Sequence, residues 1–262
     1  MADNVYKQAA KDLAKKLKLE RQFNIKLRKL FRSMADDVAL DYAATGEALD
    51  ADEFEPEFRA LILEQYRRVG KAFKKTQREK KAIDDEMGKQ LRDYSLKQSI
   101  FSADAITKTN REKIDRAIKQ ALANLMLLEE ADEDLGFVIS APSSERVAAE
   151  ARRLLIASGV SRSELIAITE TQKMAEFTKF TEIDVLQRND VFKSGQITKT
   201  WVNMGDDRVR PTHVEAGGQT VDANAPFIVG GSQMMIPADD SMGAPLVETI
   251  RCRCSAIYEV IE

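Results

Sequence analysis

Histidine and cysteine are almost absent from this sequence of 262 residues. It contains one histidine, His213, and two cysteines, Cys252 and Cys254. A single histidine cannot supply the paired histidines of an HExxH metalloprotease. Two cysteines separated by one residue cannot build a disulfide framework. Counting therefore excludes these enzymes and the disulfide-rich secreted proteins.

Long apolar runs are also missing. No segment approaches the roughly 18 apolar residues of a membrane-spanning helix, and the N-terminus lacks the apolar core of a signal peptide. The composition is 44% hydrophobic and 32% charged, with a net charge of −3, which is ordinary for a globular protein. We therefore expect a soluble protein made in a cytoplasm, with no membrane partner.

Glycine and proline are rare in the first half only. Residues 1–135 hold one proline and three glycines, whereas residues 201–262 hold four prolines and six glycines. This contrast predicts long helices first and a turn-rich module later. Acidic residues from Glu129 to Asp134, followed by the stretch to Pro142, predict a linker. The expected domains are a helical, partner-docking region (1–139) and a C-terminal module (140–262) that folds alone.

Apolar residues recur every three or four positions between Val5 and Val38 and again between Phe58 and Phe73, a spacing typical of amphipathic helices. The pattern Thr109-x-x-Glu112 predicts a capping box that opens a third helix. A fourth helix is predicted to end at Gly159, and Ser161-x-x-Glu164 to open a fifth. The three segments within residues 1–135 together predict an antiparallel helical bundle or hairpin.

The periodicity changes towards the C-terminus. Residues 197–202 are β-branched and aromatic, and residues 254–261 alternate in polarity; both patterns are typical of strands. The predicted fold class is therefore α+β, with a long helical part followed by a small α+β module that contains a short sheet.

Charges in the helical part come in blocks. Residues 1–35 carry a net charge of +7, residues 36–65 carry −9 and residues 66–82 return to +7. Basic blocks can bind phosphate backbones, but neighbouring helices of opposite sign can equally pair with each other. Charge alone names no partner.

Residues with distinctive chemistry follow one another in a fixed order in the last hundred residues. They are Thr169, Glu170, Trp201, Asp207, Arg208, Arg210, His213, Cys252, Arg253 and Cys254. This set, which includes the patterns Asp206-Asp207-Arg208-Val-Arg210-x-x-His213 and Cys252-Arg253-Cys254, resembles the Mu-F-like minor head proteins of tailed phages (the phage head morphogenesis domain). The resemblance covers about residues 140–262. It departs from the family pattern at Ile168 and Arg251, where the family usually has Arg and Asn.

The resemblance implies a low-copy, non-catalytic minor capsid protein that acts in procapsid assembly and assists DNA ejection. Its expected place is the virion, near the portal vertex, and the host cytoplasm during assembly. Expected partners are the portal protein and the major capsid or scaffolding protein, with packaged DNA as a further candidate. No cofactor is expected, with zinc as the one alternative.

The residues themselves leave two interpretations of the C-terminal set open. Asp207, His213, Cys252 and Cys254 provide a carboxylate, an imidazole and two thiols, a set that suits tetrahedral zinc. The alternative is a dry, buried structural cluster, since cysteine and a lone histidine are often core residues. Either interpretation predicts that His213, Cys252 and Cys254 lie close together. Trp201 is expected to anchor the sheet, and the arginines to pair with nearby acids.

Two other functions remain as alternatives. An ADP-ribosyltransferase-like effector would use the pair Thr169-Glu170, but Ile168 stands where the arginine and a second glutamate of that chemistry are needed. A helical DNA-binding protein would rest on the basic blocks alone.

Overall fold

Four long helices make up most of the protein, whose computed structural model describes residues 2–75, 81–133 and 141–261. They are α1 (Ala2–Thr45), α2 (Glu55–Phe73), α3 (Lys81–Glu133) and α4 (Ser144–Arg188). A 3-10 turn (Ala51–Phe54) precedes α2 and begins at Asp50, whose carboxylate accepts a hydrogen bond from the Asp52 amide, as N-cap residues do. The predicted fold class, α+β with a long helical part, is confirmed.

The predicted helix ends at Thr109, Gly159 and Ser161 are wrong, because all three residues lie inside continuous helices. The hydroxyls of Thr109 and Ser161 donate to carbonyls of their own helix, those of Ala105 and Ser158. Hydroxyl side chains commonly bond back to the preceding turn in this way, so a capping-box spacing does not require a helix start. The predicted linker lies partly in α3, which runs to Glu133, and partly in residues 134–140, outside the described residues.

Two small antiparallel sheets follow α4. The strands β1 (Ile197–Val202), β2 (Thr220–Asp222) and β5 (Ser255–Val260) form one sheet in the order β2-β1-β5. A hairpin of β3 (Phe227–Val229) and β4 (Ser232–Met234) forms the other. Two short helices, α5 (Pro211–Glu215) and α6 (Leu246–Thr249), interrupt the loops. The strand predicted at 197–202 is confirmed, and the one predicted at 254–261 is shorter by one residue at each end.

The chain folds into two compact units. Unit 1 comprises Met1–Phe23, Leu63–Lys97 and Leu165–Glu262, and unit 2 comprises Asn24–Ile62 and Gln98–Glu164. Each long helix contributes a segment to each unit. The division into 1–139 and 140–262 that the composition suggests is therefore not the one the compact units follow, since unit 1 combines N-terminal and C-terminal segments.

Each unit has its own core. In unit 1, Trp201 is fully buried and meets Phe227 edge to face, with ring centroids 5.3 Å apart. In unit 2, the rings of Phe31 and Phe58 pack at 5.0 Å. Gly159 lies directly against Phe31, where a Cβ atom would stand only 2.8 Å from the Cβ of Phe31. The close contact with the Phe31 side chain explains a glycine in mid-helix, which elsewhere would cost about 1 kcal/mol relative to alanine.

Candidate metal centre

The predicted cluster of one histidine and two cysteines is present in unit 1. The Nδ1 atom of His213 lies 3.8 Å from Sγ of Cys252 and 3.4 Å from Sγ of Cys254. The three ligand atoms all lie within 4.8 Å of one another, and all three residues are buried. The expected proximity is confirmed, and the group could hold a metal ion.

His213 is positioned by the short helix α5. Pro211 occupies the first helical position after the extended Arg210, the place where the fixed φ of proline suits a helix start. The guanidinium of Arg210 donates to the carbonyl of Ile250 and so joins the start of α5 to the segment just before the cysteines. The imidazole also meets the edge of the Trp201 ring, with centroids 5.4 Å apart.

Glu248 is a member of the site that the sequence analysis did not single out. Its Oε2 atom lies 3.0 Å from Nε2 of His213 and accepts a hydrogen bond of 2.9 Å from the Thr212 hydroxyl. Gly230, at a φ of +56°, leaves room for this carboxylate, because a Cβ there would stand 2.8 Å from Oε1 of Glu248. The sequence gives no spacing signal for this contact, which joins residues 35 positions apart.

Asp207, the fourth zinc ligand expected from the sequence, does not belong to the group. Its side chain is exposed, and only His213, Cys252 and Cys254 come together there among the described residues. The neighbouring Asp206 pairs instead with Arg253, at 2.6 Å. Both aspartates lie in the loop between β1 and α5 and are exposed.

The two thiols have pKa values shifted in opposite directions. A hydrogen bond from Cys254 lowers the pKa of Cys252 to about 5 against the effect of burial, helped by His213. The hydrogen bond to Cys252, burial and the charge of Cys252 raise the pKa of Cys254. Burial lowers the pKa of His213, but its contact with Cys252 and the charge of Glu248 raise it further than burial lowers it. The cluster therefore favours one thiolate, the form that binds metals.

A stripe of α4 side chains holds the backbone of the cysteine segment. Thr169, Gln172 and Glu176 lie on one face of α4 because they are three and four positions apart. The bonds are from the Arg251 amide to Thr169 Oγ1 (3.2 Å), from Gln172 Nε2 to the Cys254 carbonyl (2.6 Å) and from the Ala256 amide to Glu176 Oε2 (3.0 Å). Thr169, which the motif predicted as a site residue, therefore has a structural role: it holds the backbone at Arg251.

Arg251 has a φ of +57°, a left-handed conformation that non-glycine residues rarely adopt. It directly precedes Cys252, so the turn at Arg251 sets the direction in which the two cysteines leave α6. The hydrogen bond to Thr169 fixes that turn. The side chain of Arg251 remains exposed.

The N-terminal helix reaches the same segment through Lys16, another residue that the sequence analysis missed. Its Nζ atom lies 2.6 Å from Oε1 of Glu176, 3.0 Å from Oγ of Ser255 and 3.4 Å from the carbonyl of Cys254. Lys16 is 1% exposed and the side chain of Glu176 is fully buried. In the sequence Lys16 looks like one of ten basic residues of a solvated helix, and only the tertiary structure shows that it is buried.

The remaining motif residues form hydrogen bonds within the fold or lie at the surface. Glu170 is buried and accepts a hydrogen bond from the Tyr66 hydroxyl. Arg208 is exposed, and its backbone amide donates to Asp206.

A small pocket opens over the cysteines; its lining is Met204, Arg208, Val209, Arg210, His213, Arg251, Cys252, Arg253 and Cys254. The space that water can occupy there is about 10 Å³, roughly what one water molecule needs.

No protein-family model, curated protein or solved structure matches the chain. Within the described ranges, none of the helices has a stretch apolar and long enough to cross a bilayer.

Proposed function

We propose that the protein is a non-catalytic minor capsid protein of a tailed phage, of the Mu-F-like head morphogenesis type. The observation that carries the proposal is the convergence of the ordered motif. Thr169, Trp201, Arg210, His213 and the Cys252-Arg253-Cys254 segment all meet in unit 1, joined by the hydrogen bonds and ring contacts of the candidate metal centre. Trp201 and the two cysteines contact His213 directly, while Thr169 and Arg210 bind the backbone just before Cys252. This shared location of the motif residues supports a domain of that type.

A structural role fits the use of these side chains better than catalysis does. Thr169 and Arg210 bind backbone groups, and Arg253 pairs with Asp206. Glu170, the residue that an ADP-ribosyltransferase would aim at its substrate, is 8% exposed and engaged by Tyr66. The functional groups are thus occupied in holding the fold.

We propose zinc as the cofactor, bound by His213, Cys252 and Cys254. Two cysteine sulfurs with an imidazole nitrogen are ligands that zinc favours. No catalytic cofactor is part of the proposal.

Partner docking is assigned to the helical region, where unit 2 offers an apolar groove with a basic rim. The groove is lined by Phe31, Ile156 and Gly159, by the exposed Ile25 and Val160, and by Arg28, Lys29 and Arg32. The three cations are exposed and form no ion pair with any described residue. An apolar floor with a basic rim is complementary to an acidic, amphipathic segment of a protein, which favours the portal or a capsid partner over DNA.

Co-expression with the portal protein of the same phage tests the proposal. We expect the two proteins to co-purify, and mass spectrometry to find the protein at low copy in mature heads. Absence from procapsids and virions, together with no portal complex, would contradict the proposal. Binding to duplex DNA with a steep salt dependence, without portal binding, would favour the DNA-binding alternative.

Two variants locate the docking surface. Ile25→Glu and Val160→Glu place a charge in the groove at positions 53% and 44% exposed, so they should fold normally and weaken portal binding at least tenfold. Tyr6→Glu is the matched control, because Tyr6 is 60% exposed on α1 but lies in unit 1. Equal binding by all three variants would exclude the groove.

A further inference from the structure

We propose that unit 1 contains a mononuclear zinc centre with three protein ligands, namely Nδ1 of His213 and the sulfurs of Cys252 and Cys254. Glu248 acts as an outer carboxylate that positions the imidazole, and one water molecule is the fourth ligand. The inference deepens the zinc assignment and does not depend on the assignment to a phage head.

The hydrogen bonds of His213 select the tautomer that a metal needs. Oε2 of Glu248 already accepts the hydroxyl proton of Thr212 and lies 3.0 Å from Nε2 of His213. An ionised carboxylate can only accept, so Nε2 must carry the proton. In the neutral imidazole that binds a metal, the lone pair of Nδ1 then faces the two sulfurs. A carboxylate on the far nitrogen of a metal-binding histidine is the usual outer contact of zinc sites.

The distances leave room for the ion. With zinc–sulfur bonds of about 2.3 Å and zinc–nitrogen bonds of about 2.0–2.1 Å in tetrahedral geometry, nitrogen and sulfur stand about 3.6 Å apart. The Nδ1 atom of His213 lies 3.4 and 3.8 Å from the two sulfurs. The two values bracket the tetrahedral separation, so each nitrogen–sulfur distance needs to change by only about 0.2 Å.

The supports of the ligands make the arrangement specific. The backbone of Cys254 is held by Gln172 and Lys16, and the turn before Cys252 is held by Thr169. His213 lies 39 and 41 positions before the two cysteines in the chain. Bringing these ends of the loop together has an entropic cost. Metal binding would offset it and couple to folding.

The small pocket over the cysteines would hold the fourth ligand. Asp207 is exposed and outside the group, and the pocket has space for about one water molecule. Two of its arginines are engaged, Arg210 with the Ile250 carbonyl and Arg253 with Asp206. A water or a small anion can therefore reach the ion, whereas a large substrate cannot.

Elemental analysis of the full chain, purified without chelator, tests the inference directly. We expect about one zinc per chain, and loss of the metal in Cys254→Ser. Because that variant could misfold, Glu248→Gln provides a milder test, since it keeps the shape and removes the charge. Its zinc affinity, measured by competition with a chromophoric chelator, should fall about 10- to 100-fold. Asp207→Asn is the matched control and should keep the wild-type affinity.

Cobalt substitution tests the fourth ligand. Co²⁺ should give the visible absorption of a tetrahedral site with thiolate ligands, and added azide should shift these bands by replacing the water. Metal-free protein that binds neither Zn²⁺ nor Co²⁺ would overturn the inference and leave a dry cluster in which a thiol donates to Nδ1. A spectrum that ignores azide but changes in Asp207→Asn would restore Asp207 as the fourth ligand. Neither outcome affects portal binding, so failure here is distinguishable from failure of the proposed function.

Discussion

The two compact units bury different kinds of side chain. All the buried Asp, Glu, Lys and His residues of the described chain belong to unit 1; they are Asp12, Lys16, Glu20, Glu170, Glu176, Glu182, Lys199, His213 and Glu248. The buried polar residues of unit 2 are Ser, Thr and Asn. Ion pairs of unit 2 lie at the surface, for example Arg111 with Asp52 and Arg152 with Asp36, whose side chains are about half exposed.

This difference separates two ways of specifying a fold. Unit 2 relies mainly on apolar packing, as at Phe31 and Phe58, and the Arg162 guanidinium lies over the Phe31 ring, 4.9 Å from its centroid. Unit 1 relies on buried charges whose partners must be present, because an unpaired buried charge is strongly unfavourable. Unit 1 should therefore be sensitive to loss of a charge, and unit 2 to changes in volume.

The largest effect is expected from Lys16→Met. It removes the cation that lies 2.6 Å from Glu176, and breaking a buried pair from one side typically costs about 3–5 kcal/mol. Lys179, at 2.9 Å from Glu176, will compensate in part. We therefore expect the free energy of unfolding, measured in urea, to fall by about 3 kcal/mol. In the double variant Lys16→Met/Glu176→Leu the losses should be clearly less than additive. Additive losses would mean that the pair is not coupled.

Glu20→Gln should reveal a dependence on pH. Burial raises the pKa of Glu20 to about 7, against the charges of Lys16 and Arg253. A carboxyl group whose pKa is raised on folding stabilises the fold below its unfolded pKa of about 4.5, and this stabilisation is lost as the pH rises to about 7. The glutamine variant lacks that loss. The difference in free energy of unfolding, variant minus wild type, should therefore be about 2–3 kcal/mol more favourable to the variant at pH 8 than at pH 4. The exposed Glu112→Gln in unit 2 is the control and should change stability by less than about 0.5 kcal/mol at both pH values.

Gly159→Ala tests the role of volume in unit 2. The new Cβ would stand 2.8 Å from the Cβ of Phe31, and overpacking of this kind costs about 1–3 kcal/mol. Helix propensity returns about 1 kcal/mol, which leaves a net loss of about 0–2 kcal/mol in the free energy of unfolding, measured by heat or urea. Gly88→Ala is the matched change in α3, where the new Cβ meets only the flexible Arg92 side chain at 3.3 Å, and it should stabilise slightly. The same sign for both variants would contradict the packing at Phe31.

The smallest effect is expected from Arg111→Ala. The guanidinium pairs with Asp50 and Asp52, but all three side chains are more than half exposed. Exposed pairs contribute about 0–1 kcal/mol, so the midpoint of urea unfolding should hardly move. A loss comparable to that of Lys16→Met would remove the distinction between the units.

Features set by local patterns could be predicted from the sequence. The apolar period identified α1 and α2, and the β-branched run at 197–202 identified β1. Helix ends were less predictable, since Thr109 and Ser161 satisfy their hydroxyls within a helix. The sequence predicts a helix end at Gly159, because the close contact that requires this glycine is with Phe31, a residue more than a hundred positions away.

The candidate site was predictable in its ligands and not in its supports. His213, Cys252 and Cys254 stand out because these residue types are scarce in the chain. Glu248 and Lys16 are two among many charged residues, and burial alone distinguishes them. The carboxylate of Asp207 makes it a candidate zinc ligand in the sequence, but its side chain is exposed in the structure.

One measurement tests most directly whether the sheet and its ligand group depend on the N-terminal segments of unit 1. Residues 140–262 were expected from the sequence to fold alone. The structure gives Glu176 its partner Lys16 from α1, and gives Thr171 and Glu170 the partners Gln65 and Tyr66 from α2. Far-UV circular dichroism of the 140–262 fragment, with saturating zinc, should therefore show no cooperative thermal transition, whereas the full chain should show one. A cooperative transition in the fragment would contradict the account.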